Sequence, residues 1–353
     1  MIVLLAMVAR FFRYRKCGSR CWWNRTKSAA VAQYRLSNFP FFGKFRRSES
    51  SNSTLVLYLH FPPKTGLSAK MHRSEEEENG GHDVEWRRNR YPSPRQRQRR
   101  TASGDHGMTV QCGIFLKTTS PHIVEVLGTC GLDFAVVDAE HAPFDRAAID
   151  LMILAGRAAG LPIFVRVPDD RHSTLLSALD MGAAGLLVPH VDSAAQAAEI
   201  VRNTRFSTGQ RGYSGGPRYA GYGSLGMAEA LRRGDEAVIL AQIESGLAVE
   251  ECEAIAATPG IDGVFIGRSD LSLSIGEASA STPAVIAATR RIIAAGIAAN
   301  KRVGMFVASP EEGAKFAPLG ADWFVIGSDQ SILRQGARNV AAFATQQKKG
   351  HAA

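Results

Sequence analysis

The chain has few of the residues that announce a chemistry outright. Its 353 residues hold only five cysteines. Cys17 and Cys21 form a C-x3-C with no second pair to complete a zinc site, and Cys112, Cys130 and Cys252 fall in or beside apolar runs. A disulfide framework is excluded, and buried, reduced thiols in a cytosol-like compartment are expected, with the protein cytoplasmic. No apolar stretch approaches the roughly 20 residues that span a bilayer. The opening run Met1 to Ala9 is too short and lacks a preceding basic segment, so neither secretion nor a membrane anchor is expected.

Acidic residues are missing locally: the first 48 residues contain none. Residues 1–107 carry 21 Lys and Arg against 8 Asp and Glu, a net of +13, whereas residues 108–353 carry 21 against 25, a net of −4. The overall charge of +9 therefore belongs to a leader and not to the body of the chain. That leader passes from Arg-rich segments (Arg10 to Lys16, Arg87 to Arg100) through a Ser-rich stretch near Ser48 to the acidic run Glu75 to Glu78, with no sustained period. It is expected to be disordered. Four readings remain open: an organelle transit peptide, a phosphate-gripping arm around Arg95 to Arg100, an upstream extension of a reading frame that starts at Met108, or a real but featureless tail. Neither nucleic acid nor a membrane is expected as the main partner.

From Met108 the pattern repeats. Apolar runs at Val110 to Leu116, Phe134 to Asp138, Ile163 to Val167, Gly185 to Val188, Val238 to Ile243, Gly263 to Ile266, Val303 to Val307 and Trp323 to Ile326 read as strands. Their apolarity is continuous, as a parallel sheet covered on both faces requires. Ala-rich helical segments lie between them, among them Arg146 to Ala159 and Thr174 to Met181, and several end at a C-cap glycine. Eight strand–helix units in about 240 residues fit an α/β fold of the (β/α)8 TIM-barrel type. A doubly wound open sheet is the alternative. The expected boundaries are a leader over 1–107, the barrel over 108–346 and a tail over 347–353.

In such a barrel the chemistry sits at the C-terminal ends of the strands, and ionisable residues gather there. Strand two ends in Asp138-Ala139-Glu140-His141, strand three contains Arg166, strand five ends in Gln242-Ile243-Glu244, and strand six leads into Ser269-Asp270. Parallel neighbours lie about 5 Å apart, so Glu244 and Asp270 can reach one divalent cation, and two carboxylates suit a hard ion such as Mg2+ or Mn2+. Singly the other residues are ambiguous: a histidine after a strand is ordinarily a loop hydrogen-bonding residue, and an arginine at a strand end an ion-pair partner. His190, after Val188-Pro189, is a further pocket candidate. The segment Gly209 to Gly223, GQRGYSGGPRYAGYG, has no phosphate-loop spacing and reads either as a plain flexible loop or as a substrate-contacting lid. Apart from Lys117, no lysine stands at a strand end where a Schiff base would need one.

Taken in order, Asp138-Ala139-Glu140-His141-Ala142-Pro143, Arg166-Val167-Pro168, Leu187-Val188-Pro189, Arg211-Gly212, Gln242-Ile243-Glu244-Ser245 and Asp262 to Ser272 resemble the HpcH/HpaI aldolases, metal-dependent class II pyruvate aldolases, over about Cys112 to Phe343. The resemblance implies an aldehyde-lyase that splits a 4-hydroxy-2-oxo acid into pyruvate and an aldehyde through a metal-stabilised enolate. It implies Glu244 and Asp270 as ligands of Mg2+, Mn2+ or Co2+, Arg166 at the pyruvate oxygens, and His141 with Asp138 as the acid/base pair. Gln242 and Ser269 would complete the substrate site. It further implies a homo-oligomer, typically a hexamer, in which the last helix, Ile332 to Phe343, is exchanged between subunits. The alternatives are a related citryl- or malyl-CoA lyase and, from another class, a nucleic-acid-binding protein acting through its leader.

Overall fold

The structure, a computed structural model, describes residues 109–350, with side chains as far as 343. The leader, with its expected disorder and its C-x3-C pair, lies outside the described residues.

Strands and helices alternate from the start. β1 (Gln111–Leu116) is followed by α1 (Pro121–Gly128), β2 (Phe134–Asp138) by α2 (Arg146–Ala159), β3 (Ile163–Arg166) by α3 (His172–Asp180), and β4 (Gly185–Val188) by α4 (Ala194–Thr204). After a 3-10 turn at Arg218–Gly223 and α5 (Met227–Gly234) come β5 (Val238–Ile243), α6 (Gly246–Glu250) and α7 (Cys252–Ala257). The chain continues through β6 (Gly263–Ile266), α8 (Arg268–Ser274), α9 (Pro283–Ala298), β7 (Arg302–Val307) and α10 (Pro310–Gly313), and ends with β8 (Trp323–Ser328) and α11 (Asp329–Gly350). The eight described strands pair in parallel in sequence order, and β8 returns to β1, so the sheet is a closed barrel and not an open one. Four of the eight strands have the ends that the apolar runs predict. The last helix continues past the boundary drawn at 346.

Local chemistry explains where the helices begin. Asp145, Ser193 and Ser245 stand in extended conformation just before α2, α4 and α6, and each side chain accepts a hydrogen bond from the backbone N–H three residues on. That satisfies one of the donors a helix N-terminus leaves free. Gly160 ends α2 in the left-handed region, where a side chain would be strained.

Two cores result. One lies between strands and helices. The other fills the barrel with Phe115, Phe134, Val136, Phe164, Leu187, Val238, Leu240, Phe265, Trp323 and Val325. Phe134 stacks on Trp323 at 3.8 Å, and the edge of Phe164 meets both rings. Rings of this size fit because glycines face them: a Cβ at Gly185 would stand 2.6 Å from Phe164, and one at Gly304 2.7 Å from Phe265. Packing of large against small side chains closes the lower barrel and leaves the polar residues its upper end.

Candidate active site

Side-chain parity decides what reaches that upper end. Successive side chains of a strand point to opposite faces, and Phe115, Val136, Phe164 and Leu240 face the interior. Two residues further along the same strands stand Lys117, Asp138, Arg166 and Gln242, with Glu244 two beyond Gln242. The polar layer is thus the continuation of the inward-facing rows.

The register of β2 against β3 sets Asp138 opposite Arg166. The two meet as a fork: Arg166 Nε donates to Asp138 Oδ1 at 3.0 Å, and Nη2 lies 2.8 Å from Oδ2. Lys117 Nζ adds a second cation 3.0 Å from Oδ2. The Phe115 ring lies under the guanidinium, 4.5 Å from its carbon. Burial disfavours a charged Asp138, but Arg166 and Lys117, with the backbone N–H of His141, outweigh it and hold the carboxyl below the usual carboxylate range. Asp138 reaches His141 through that backbone N–H, at 3.1 Å. The exposed imidazole has its Nε2 3.6 Å from Glu140 Oε2.

Arg166 also links to a second cluster, with Nη1 3.3 Å from Glu140 Oε2. Glu140 Oε1 lies 3.1 Å from His190 Nε2, and His190 Nδ1 lies 3.0 Å from Glu244 Oε1. The same Glu244 oxygen accepts the His190 backbone N–H at 2.8 Å, and its other oxygen accepts from the Gln242 amide. Burial pushes the Glu244 carboxyl up, and Gln242 and His190 work against that push. Gly267, opposite the end of β5, lets the following turn close over this acid: a Cβ there would stand 2.6 Å from Glu244 Oε2.

The residues fit a divalent ion. Donor atoms of Glu140, His190 and Glu244 all lie within 4.8 Å of one another. Gln242 Oε1 is buried without a hydrogen-bond partner, a costly state for a polar atom unless something further binds there. Carboxylate and imidazole donors suit hard to borderline cations. Of the pair expected from the sequence, Glu244 belongs to this cluster. Asp270 stands half-buried in the first turn of α8 and is not part of it, and Ser269 beside it is exposed.

Two residues of the site carried no weight in the sequence. Glu140 shows only as the strand-mate of Asp138, and Lys117 only as a lysine at a strand end; the inward parity of Phe115 was the signal for the latter. The lid reading of Gly209 to Gly223 is corrected. This segment follows a helix and precedes a strand, so the barrel carries it to the opposite face. Arg211 there pairs with Asp180 at 3.0 Å, and Arg218 donates to the Met181 carbonyl at 2.6 Å, both at the end of α3 that leads into β4. Cys130 is exposed, against the expectation of buried thiols, because it sits in the turn after α1.

A closed parallel barrel with a clamped arginine and a carboxylate–imidazole cluster at the C-terminal ends of its strands is an enzyme architecture built for anionic substrates. Residues 111–336 match the family model for the HpcH/HpaI aldolase/citrate lyase domain. The chain belongs to this family and is a carbon–carbon lyase of the aldolase class. It is 36% identical over 235 residues to a 5-keto-4-deoxy-D-glucarate aldolase of Klebsiella pneumoniae, a match covering 66% of this chain and 91% of that one. Among solved structures it resembles an HpcH/HpaI aldolase/citrate lyase family protein from Burkholderia cenocepacia, with TM-score 0.65, 32% identity and coverage of 68% and 96%. It also resembles the citrate synthase SbnG, with TM-score 0.61, 27% identity and coverage of 69% and 95%.

Proposed function

We propose that the protein cleaves a 4-hydroxy-2-oxo acid to pyruvate and an aldehyde, with 5-keto-4-deoxy-glucarate or a similar sugar acid as substrate. The observation that carries this reading is the continuous chain Lys117–Asp138–Arg166–Glu140–His190–Glu244, which sets a fixed cation beside a buried carboxylate across the barrel mouth. Glu244 and Asp270 would hold a divalent ion, Mg2+, Mn2+ or Co2+, which when bound supplies a Lewis acid to the carboxylate and keto oxygens of the 2-oxo acid.

The chain's own residues do the rest. Arg166, held by Asp138 and by the ring of Phe115, needs no reorganisation to meet the charge that builds on the enolate oxygen as the C–C bond breaks. Gln242 fixes one oxygen of Glu244 and offers its own buried Oε1 to the site. His141, exposed at the mouth, is the group able to take the proton of the 4-hydroxyl and return it in the reverse direction. Asp138 sets the position of the His141 main chain. Ser269, in the first turn of α8, would bind the substrate.

Residues 332–343 of α11 are exposed throughout, including Ile332, Leu333, Val340 and Phe343, and we take this face to be covered by another copy of the chain in a homo-oligomer, a hexamer by family resemblance. No helix among the described residues is long and apolar enough to cross a membrane, in keeping with action in the cytoplasm. The test of function is pyruvate release from 5-keto-4-deoxy-D-glucarate, followed by coupled reduction to lactate. Release that EDTA abolishes and Mn2+ restores is expected. Cleavage of citryl-CoA or malyl-CoA with no activity on the sugar acid would contradict the reading.

A further inference from the structure

His190 has surroundings that a loop histidine does not need. Its backbone is held at φ 55, the left-handed region that few residues other than glycine adopt. Three hydrogen bonds keep it there: its N–H to Glu244 Oε1 at 2.8 Å, Gln196 Nε2 to its carbonyl at 3.0 Å, and the N–H of Val191 to the Gln242 carbonyl at 3.2 Å. Strain maintained in this way at a pocket calls for a function. Each ring nitrogen also faces a carboxylate.

We propose that His190 is a nitrogen ligand of the ion held by Glu244, oriented by Glu140, so that the site favours Mn2+, Co2+ and other borderline cations over Mg2+. This rests on the metal-dependent reading above and adds a ligand to it. An octahedral ion with bonds of about 2.1 Å sets neighbouring donors about 3 Å apart, and His190 Nδ1 lies 3.0 Å from Glu244 Oε1. A metal-bound histidine commonly donates its other ring N–H to a carboxylate, which fixes the tautomer. His190 Nε2 stands 3.1 Å from Glu140 Oε1, and Arg166 holds the other Glu140 oxygen. Gln242, whose amide N–H donates to Glu244, keeps its own Oε1 buried and unpartnered, which leaves an acceptor beside Glu244 open to a further group. Imidazole nitrogen strengthens binding along the borderline series, whereas Mg2+ keeps oxygen ligands and its waters.

The experiment is pulsed EPR on the full-length protein carrying one equivalent of Mn2+. Modulation from a directly bound 14N imidazole is expected in the wild type, and its replacement by the 15N pattern after histidine labelling makes this readout independent of any variant's folding. His190→Gln should lose the modulation, bind Mn2+ roughly 10- to 100-fold more weakly, and narrow the preference for Mn2+ over Mg2+. Mn2+ binding that requires Glu244 yet shows no nitrogen modulation, or modulation that persists in His190→Gln, overturns the ligand role alone. Mn2+ binding that Glu244→Gln leaves unchanged overturns the metal reading and the ligand role together.

Discussion

Asp138 is the residue on which the cationic half of the site depends. It is fully buried, and charge without a partner at such a depth would be costly. Arg166 and Lys117 supply the partners and depress its folded pKa. A carboxyl whose folded pKa lies below its unfolded value, about 3.9 for Asp, contributes stability that is present above the unfolded pKa. That stability is lost as the pH falls through the folded one. Asp138→Asn should therefore be less stable than the wild type at pH 7, by on the order of 3 kcal/mol because it leaves buried cations short of a partner. The gap should shrink on acidification below about pH 4. Urea unfolding of both proteins across pH 3 to 8 measures it, and a gap that stays constant with pH would contradict the pairing. At this scale the sequence was partly legible. Asp138, Arg166, Gln242 and Glu244 stand out as ionisable or polar residues ending apolar runs, and parity then sends them inward. Glu140 and His190 lie beyond the strand ends, in turns whose path depends on tertiary contacts, so no period in the sequence shows that their side chains meet.

At the level of elements the parallel strands were legible because burial on both faces makes them apolar without alternation, and the start of α2 at Arg146 falls where Asp145 caps the helix. The lid reading of Gly209 to Gly223 fails because flexible composition says nothing about which end of the barrel a loop occupies; that follows from whether it runs from strand to helix or from helix to strand. α11 is anchored at its beginning, where the Asp329 carboxylate accepts the backbone N–H groups of Lys117 and Thr118 at 3.0 and 2.9 Å. This joins the helix to the end of the strand that bears Lys117, so assembly through α11 would bear on the site. Leu333→Glu combined with Phe343→Glu adds four charges to a dimer interface and should shift the protein to monomers. Light scattering at micromolar concentration checks this, and a wild type already monomeric there would contradict the assignment of that face.

For the whole molecule, the expectation is that the barrel works without the leader. The barrel's core is complete within the described residues: β8 closes on β1 with no strand contributed from elsewhere. A chain lacking residues 1–107 is expected to fold and to release pyruvate at the rate of the full chain, and an insoluble or inactive product would contradict that division. The central claim, that a divalent ion at Glu244 and the clamped Arg166 together stabilise a pyruvate enolate, can be tested without knowing the aldehyde. The measurement is exchange of the pyruvate methyl protons with D2O, followed by proton NMR. Exchange should require Mg2+, Mn2+ or Co2+ and stop with EDTA. It should vanish in Glu244→Gln and fall on the order of 10²-fold or more in Arg166→Lys, whose point charge cannot reproduce the guanidinium fork. Exchange that survives both EDTA and Glu244→Gln would contradict the claim.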